Sequence, residues 1–144
     1  MNAIELLKRD HRTFEKLCAD LEATTERAVK TRRELFGRLK DGLVLHEEIE
    51  EQIVYPALKE HSEAREIVLE GYEEHHVVDV IVAEMESVDV TDEVWTAKFS
   101  VMKENLEHHI EEEEGEMFPQ AEQLLTPGEL DALGERIEQR RKGG

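Results

Sequence analysis

The sequence predicts an all-α protein, an up-down four-helix bundle with a short fifth helix at its C-terminal end. Three observations predict it. Pro and Gly are sparse and charged residues make up 38% of the chain, a mix suited to long solvated helices. Apolar residues recur at alternating steps of three and four in four separate stretches. No stretch alternates with period two, so no strand is expected.

Capping signals place the helices. Asn2 with Glu5, Thr31 with Glu34, and Thr126 with Glu129 have capping-box spacing, in which a side-chain oxygen satisfies a free N–H of the first turn. Pro127 follows Thr126, where its missing N–H costs nothing. Ser62 and Thr91 are the expected caps of the remaining two. The expected spans are 3–24, 32–59, 63–86, 92–124 and 127–141, one domain over residues 1–144 with the bundle ending near 124.

Each of the four long helices carries one apolar seam. The first reads Ile4, Leu7, His11, Phe14, Cys18, Leu21; the second Leu35, Leu39, Gly42, His46, Ile49, Glu50, Ile53. The third reads Val68, Gly71, His75, Val78, Val82, Met85; the fourth Trp95, Phe99, Met102, Leu106, His109, Glu113, Met117. A histidine interrupts every seam. A single histidine on an apolar face is usually a satisfied core residue. Four at matching depth, two of them followed by a glutamate four residues on, need a common partner, because unpaired buried imidazoles and carboxylates each cost several kcal/mol. A metal centre supplies one.

The chain also repeats itself. His11 and His46 are separated by nearly the same interval as His75 and His109. His46-Glu-Glu-Ile-Glu50-Glu51 running to Tyr55-Pro56 matches His109-Ile-Glu-Glu-Glu113-Glu114 running to Phe118-Pro119. Two hairpins, each with one lone His and one His-xxx-Glu pair, build a site with approximate two-fold symmetry. Residues four apart lie one above the other on a helix, so each pair can reach a common centre. Imidazole and carboxylate without thiolate suit iron or manganese, and zinc is tolerated. A ferritin-like centre needs a Glu-xx-His pair on each of two helices, and only Glu73 with His76 has that spacing.

These motifs resemble the hemerythrin-like, or HHE cation-binding, family: Asp10-His11, His46-xxx-Glu50-Glu51, Glu74-His75, and His109-xxx-Glu113-Glu114-xxx-Phe118-Pro119. The chain is similar to the actinobacterial single-domain members, which share the short fifth helix and a Tyr-Pro ending helix two. The resemblance implies two irons per chain, oxo- or hydroxo-bridged, with Glu50 and Glu113 bridging and His11, His46, His75 and His109 as terminal ligands. Oxygen-carrying hemerythrins place a further histidine four residues after the third; here that residue is Asp79. A pair of six-coordinate irons held this way keeps two positions open. Tyr55, Asp79 and Glu47 are the candidates for added ligands. His61, His76 and His108 are expected at the surface or flanking the seam, and Cys18 in the core.

A formal charge of −18 repels nucleic acid and anionic lipid. One cysteine excludes a disulfide framework. Without an apolar signal core or spanning run, a cytoplasmic protein is expected. The expected small ligands are O2, peroxide and NO. Peroxide decomposition, catalase-like and catalysed at the metal site with no other catalytic residue, leads; reversible O2 or NO binding for storage or sensing is the alternative.

Overall fold

In a computed structural model, residues 1–143 are described. Helix α1 spans Ala3–Glu22 and α2 spans Val29–Ile49. A π-helical turn, Glu50–Val54, joins α2 to α3, Tyr55–Lys59, so the second rod is continuous. After a 3-10 turn at Ser62–Ala64 come α4, Arg65–Glu86, and α5, Glu93–Glu112. A second π turn, Glu113–Met117, leads into α6, Phe118–Leu124, and α7 is Pro127–Gly143. No strand occurs among the described residues, and none of their helices is long and apolar enough to cross a membrane.

The expected architecture stands, with local corrections at the helix starts. Asn2 accepts from Glu5 N–H at 2.9 Å, and Thr126 and Glu129 form the reciprocal box at 3.0 and 3.1 Å. Thr31 caps nothing, because α2 begins at Val29, two residues before it. Ser62 opens the 3-10 turn, and α4 starts without a side-chain cap. Thr91 bonds back to Asp89, and the cap of α5 is Asp92. On α2 the seam is turned slightly: Phe36 and Leu43 are buried, and Leu35 only partly.

The core is split into two apolar blocks. One, around Leu7, Ile49, Leu58, Val68, Phe118 and Ile137, includes the docked face of α7. The other, around Phe14, Leu39, Met85, Trp95, Phe99 and Met102, fills the opposite end. Buried Arg32 closes that far end: it donates to Thr24 Oγ1, Val90 O and Thr96 Oγ1 and lies 4.9 Å over the Trp95 ring. Between the blocks runs a polar layer. The seam histidines form it.

Candidate metal centre

Four helices deliver six side chains to that layer. His11, His46, His75, His109, Glu50 and Glu113 are each at most 3% exposed. His11, His46, Glu50 and Glu113 bring one donor atom each within 4.8 Å of one another; so do His75, His109, Glu50 and Glu113. Both glutamates belong to both groups. Each histidine points Nε2 inward: His11 lies 3.0 Å from Glu113, His46 3.2 Å and His75 2.9 Å from Glu50, His109 3.4 Å from Glu113.

The other ring nitrogens face outward, and each meets an acid. His46 Nδ1 lies 2.7 Å from Asp10, His75 Nδ1 2.7 Å from Glu51, His109 Nδ1 2.6 Å from Glu74, and His11 Nδ1 2.7 Å from Glu114. A carboxylate only accepts, so Nδ1 carries the proton and Nε2 is directed at the centre. The four acids form a closed ring, each helix supplying an acid to the histidine of the next. Every one of them is the chain neighbour of an inward residue, which is the physical meaning of the Asp-His, Glu-His and Glu-Glu doublets. Sequence reasoning noted the doublets and assigned their acids no role.

Electrostatically the layer asks for cations. Burial alone would lower the His46 pKa, but the Glu50 charge and the bond to Asp10 outweigh it and push it to about 10. His109 goes well above its usual value for the same reasons, burial opposing and Glu113 prevailing. Burial would raise Glu50, yet the His46 charge and its hydrogen bonds hold it well below the usual range. Without metal, protons neutralise the site, so uptake of metal displaces them. Even so, His46 Nε2, Glu50 Oε2 and His109 Nε2 are buried with no hydrogen-bond partner. Orphaned atoms facing one centre, with an imidazole–carboxylate donor set, fit bound metal.

Tyr55 reaches the centre. Its hydroxyl donates to Glu113 Oε2 at 2.5 Å and lies 3.4 Å from both Glu50 Oε1 and His75 Nε2. A regular helix would turn it away from His46. The π turn adds one residue, roughly 100° of rotation, and Tyr55 N–H bonds to Glu50 O instead of the carbonyl four back. Pro56, which cannot donate, follows at once. The second π turn does the same for Phe118. Gly71 leaves the room: a Cβ there would lie 2.8 Å from the Tyr55 hydroxyl. Burial and the Glu113 and Glu50 charges hold the phenol proton on, well above its usual pKa.

Glu47 lies near Asp79, and burial together with that neighbouring carboxyl pushes the Glu47 carboxyl to about 10. Glu47 is buried and Asp79 exposed. Glu47 lines a 10 Å³ cavity above the histidines, walled by Phe14, Leu43, Val78, Leu106 and Ile110, and also a surface groove of 520 Å³ that includes Asp79. His61 is half-buried, and His76 and His108 are exposed, His108 beside Glu112 at 3.2 Å. Cys18 is buried in the far apolar block, its thiol pushed up to about 12 by burial.

The model of the hemerythrin HHE cation binding domain matches residues 2–121. The chain belongs to that family. This hemerythrin-like chain is also similar to a solved structure, a hemerythrin HHE cation binding domain-containing protein from Mycobacterium kansasii, at 28% identity and a TM-score of 0.85. The likeness covers 99% of this chain and 89% of that one. No curated protein matches. The family description, cation binding, agrees with the buried histidine–glutamate layer.

Proposed function

We propose that this hemerythrin-like chain holds two irons and decomposes peroxide at them. The observation that carries the reading is the sharing of Glu50 and Glu113 by two four-donor groups. One ion needs only one such group. His11 and His46 would hold one iron, His75 and His109 the other, with both carboxylates bridging. Tyr55 is the best placed of the added candidates, beside His75; Glu47 and Asp79 lie outside the two four-donor groups. Bound there, an iron pair supplies the two-electron chemistry that peroxide decomposition requires.

The chain's own residues provide the rest. The 10 Å³ cavity has room for about one water-sized molecule. Its apolar wall excludes bulk solvent. Glu47, its carboxyl held protonated chiefly by burial, lines both cavity and groove and can pass a proton between them. That carrier favours turnover over carriage. The apolar wall equally suits neutral O2 or NO, so reversible binding is the second reading.

An oxygen electrode tests the choice. Iron-loaded protein should carry close to two irons per chain and release O2 from added peroxide over many turnovers. Reduced protein exposed to air should oxidise quickly. A persistent oxygen adduct with no turnover would favour reversible binding, and one metal per fully loaded chain would overturn the site.

A further inference from the structure

We propose that Arg141 of α7 is a positioning residue for the His11–His46 half of the centre, holding Asp10 where it fixes the ring of His46. This rests on the reading that His46 is a metal ligand. The family match ends at residue 121, so nothing in it gives α7 a part in the site.

The geometry is a relay of three side chains from three helices. The Arg141 guanidinium donates to Asp10 Oδ2, and the same oxygen receives His46 Nδ1–H at 2.7 Å. Asp10 is 14% exposed and Arg141 29%, low for an arginine in the last turn of a terminal helix. The helix is held there firmly. Ile137, one turn back, is fully buried in the core block around Leu7. Gly134 lies so close to the N-terminal strand of chain that a Cβ would sit 2.3 Å from the Met1 carbonyl. Arg140 pairs with Glu48 at 2.7 Å, which ties α7 to α2 as well.

The contact is a single one, from one guanidinium nitrogen to Asp10 Oδ2, and a rigid, permanently charged guanidinium holds that oxygen in a fixed direction where a lysine would supply only a mobile point charge. A second relay, Arg12 on Glu114 behind His11, is weaker: Arg12 is 57% exposed and shared with Glu15. No arginine or lysine pairs with Glu51 or Glu74 among the described residues. Arg141 therefore acts on one half only. Losing such an outer contact typically costs 10–100-fold in metal affinity.

The test follows iron release to a chelator and the Mössbauer spectrum of iron-57-loaded protein. Arg141→Ala should release one of the two irons on the order of 10-fold faster and shift one quadrupole doublet, leaving the other iron as it was. Arg141→Lys should recover part of the loss. Arg140→Ala, on the same docked turn, should change neither iron. Thermal unfolding of the metal-free variants reads the docking of α7 separately, and both alanine variants should fall by similar small amounts. Unchanged release and doublets in Arg141→Ala overturn the proposal. So does the same one-iron change in Arg140→Ala, since docking alone would then account for it. If the unmodified protein binds a single ion or a metal other than iron, the two-iron reading fails, while release of whatever metal it holds still tests Arg141. An unmodified protein that binds no metal overturns both.

Discussion

The two halves of the centre share a plan and differ in their surroundings. His11 and His46 have acids on Nδ1 that are themselves held by arginines, Arg12 and Arg141. His75 and His109 have acids, Glu51 and Glu74, that no arginine or lysine holds among the described residues. A tyrosine stacks on His75 at 5.5 Å, where the matching residue stacked on His11 at 5.8 Å is Phe118, which has no hydroxyl. The repeat thus builds two equivalent donor sets, and residues outside those sets make them unequal. Metal pairs that must hold a ligand asymmetrically need such a difference, and here it comes from three side chains.

The largest effect should separate shared from private residues. Glu50→Ala or Glu113→Ala removes a donor from both groups, so both irons should be lost and the melting temperature should fall, since metal stabilises only the folded state. His46→Ala should cost one iron, from its own half, and His61→Ala none. Metal analysis of the purified variants decides it. If Glu50→Ala and His46→Ala each retain one iron, the glutamates do not bridge.

Next in size is the link between the halves. Glu47 stands on α2 and Asp79 on α4, so the groove that both line runs between the two hairpins, and Glu47 alone also lines the cavity. Glu47→Gln keeps the shape and cannot deliver a proton. Peroxide turnover should fall about 100-fold, with two irons still bound. Unchanged turnover would remove Glu47 from the proton path.

Much of this was legible before any coordinates. The 3–4 seams specify the helices because each must bury one stripe, and a histidine inside each stripe marks the depth of the centre. The doublets put an acid beside four inward residues, but only the assembled bundle shows that these acids form a ring and which histidine each one serves. Three features were legible in part or not at all. Tyr55 stood among the candidate ligands, but the π turn that brings it inward leaves no sign in the period-3.6 pattern. Arg141 meets Asp10 through α7 packing, a contact across nearly the whole chain. Thr31, Ser62 and Thr91 have capping chemistry without the position: α2 begins two residues before Thr31, Ser62 opens a 3-10 turn, and Asp92 takes the cap of α5 from Thr91.

Tyr55→Phe would make the halves alike. If the phenol ligates ferric iron, the variant should lose a visible absorption band and keep both irons. The metal-free protein should lose about 1.5–3 kcal/mol, the range for a hydrogen bond to a charged group. Phe118→Tyr, by contrast, places a hydroxyl beside His11 and should introduce a band in the other half. An unchanged Tyr55→Phe spectrum would leave the tyrosine as a hydrogen-bond donor to Glu113 only.

The smallest contrast lies in two glycines. Alanine in a helix interior gains about 1 kcal/mol over glycine when nothing opposes it, so each substitution weighs that gain against a contact. At Gly42 the new Cβ would meet one edge atom of the Phe14 ring at 3.0 Å, with the rest of the ring at 3.8 Å. Phe14 packs edge-on to His46 at 5.2 Å and makes no hydrogen bond, so it can tilt by a few tenths of an ångström. Gly42→Ala should leave stability nearly unchanged and the iron spectrum untouched. At Gly71 the Cβ would meet the Tyr55 hydroxyl and two ring atoms between 2.8 and 3.1 Å. That ring is pinned by stacking on His75 and by its bond to Glu113, so it cannot yield cheaply. Gly71→Ala should cost about 1–3 kcal/mol as overpacking does and shift the spectrum of the His75 half. Equal behaviour of the two alanine variants would mean that the tyrosine is no more fixed than the phenylalanine, and the asymmetry would then rest on the arginines alone.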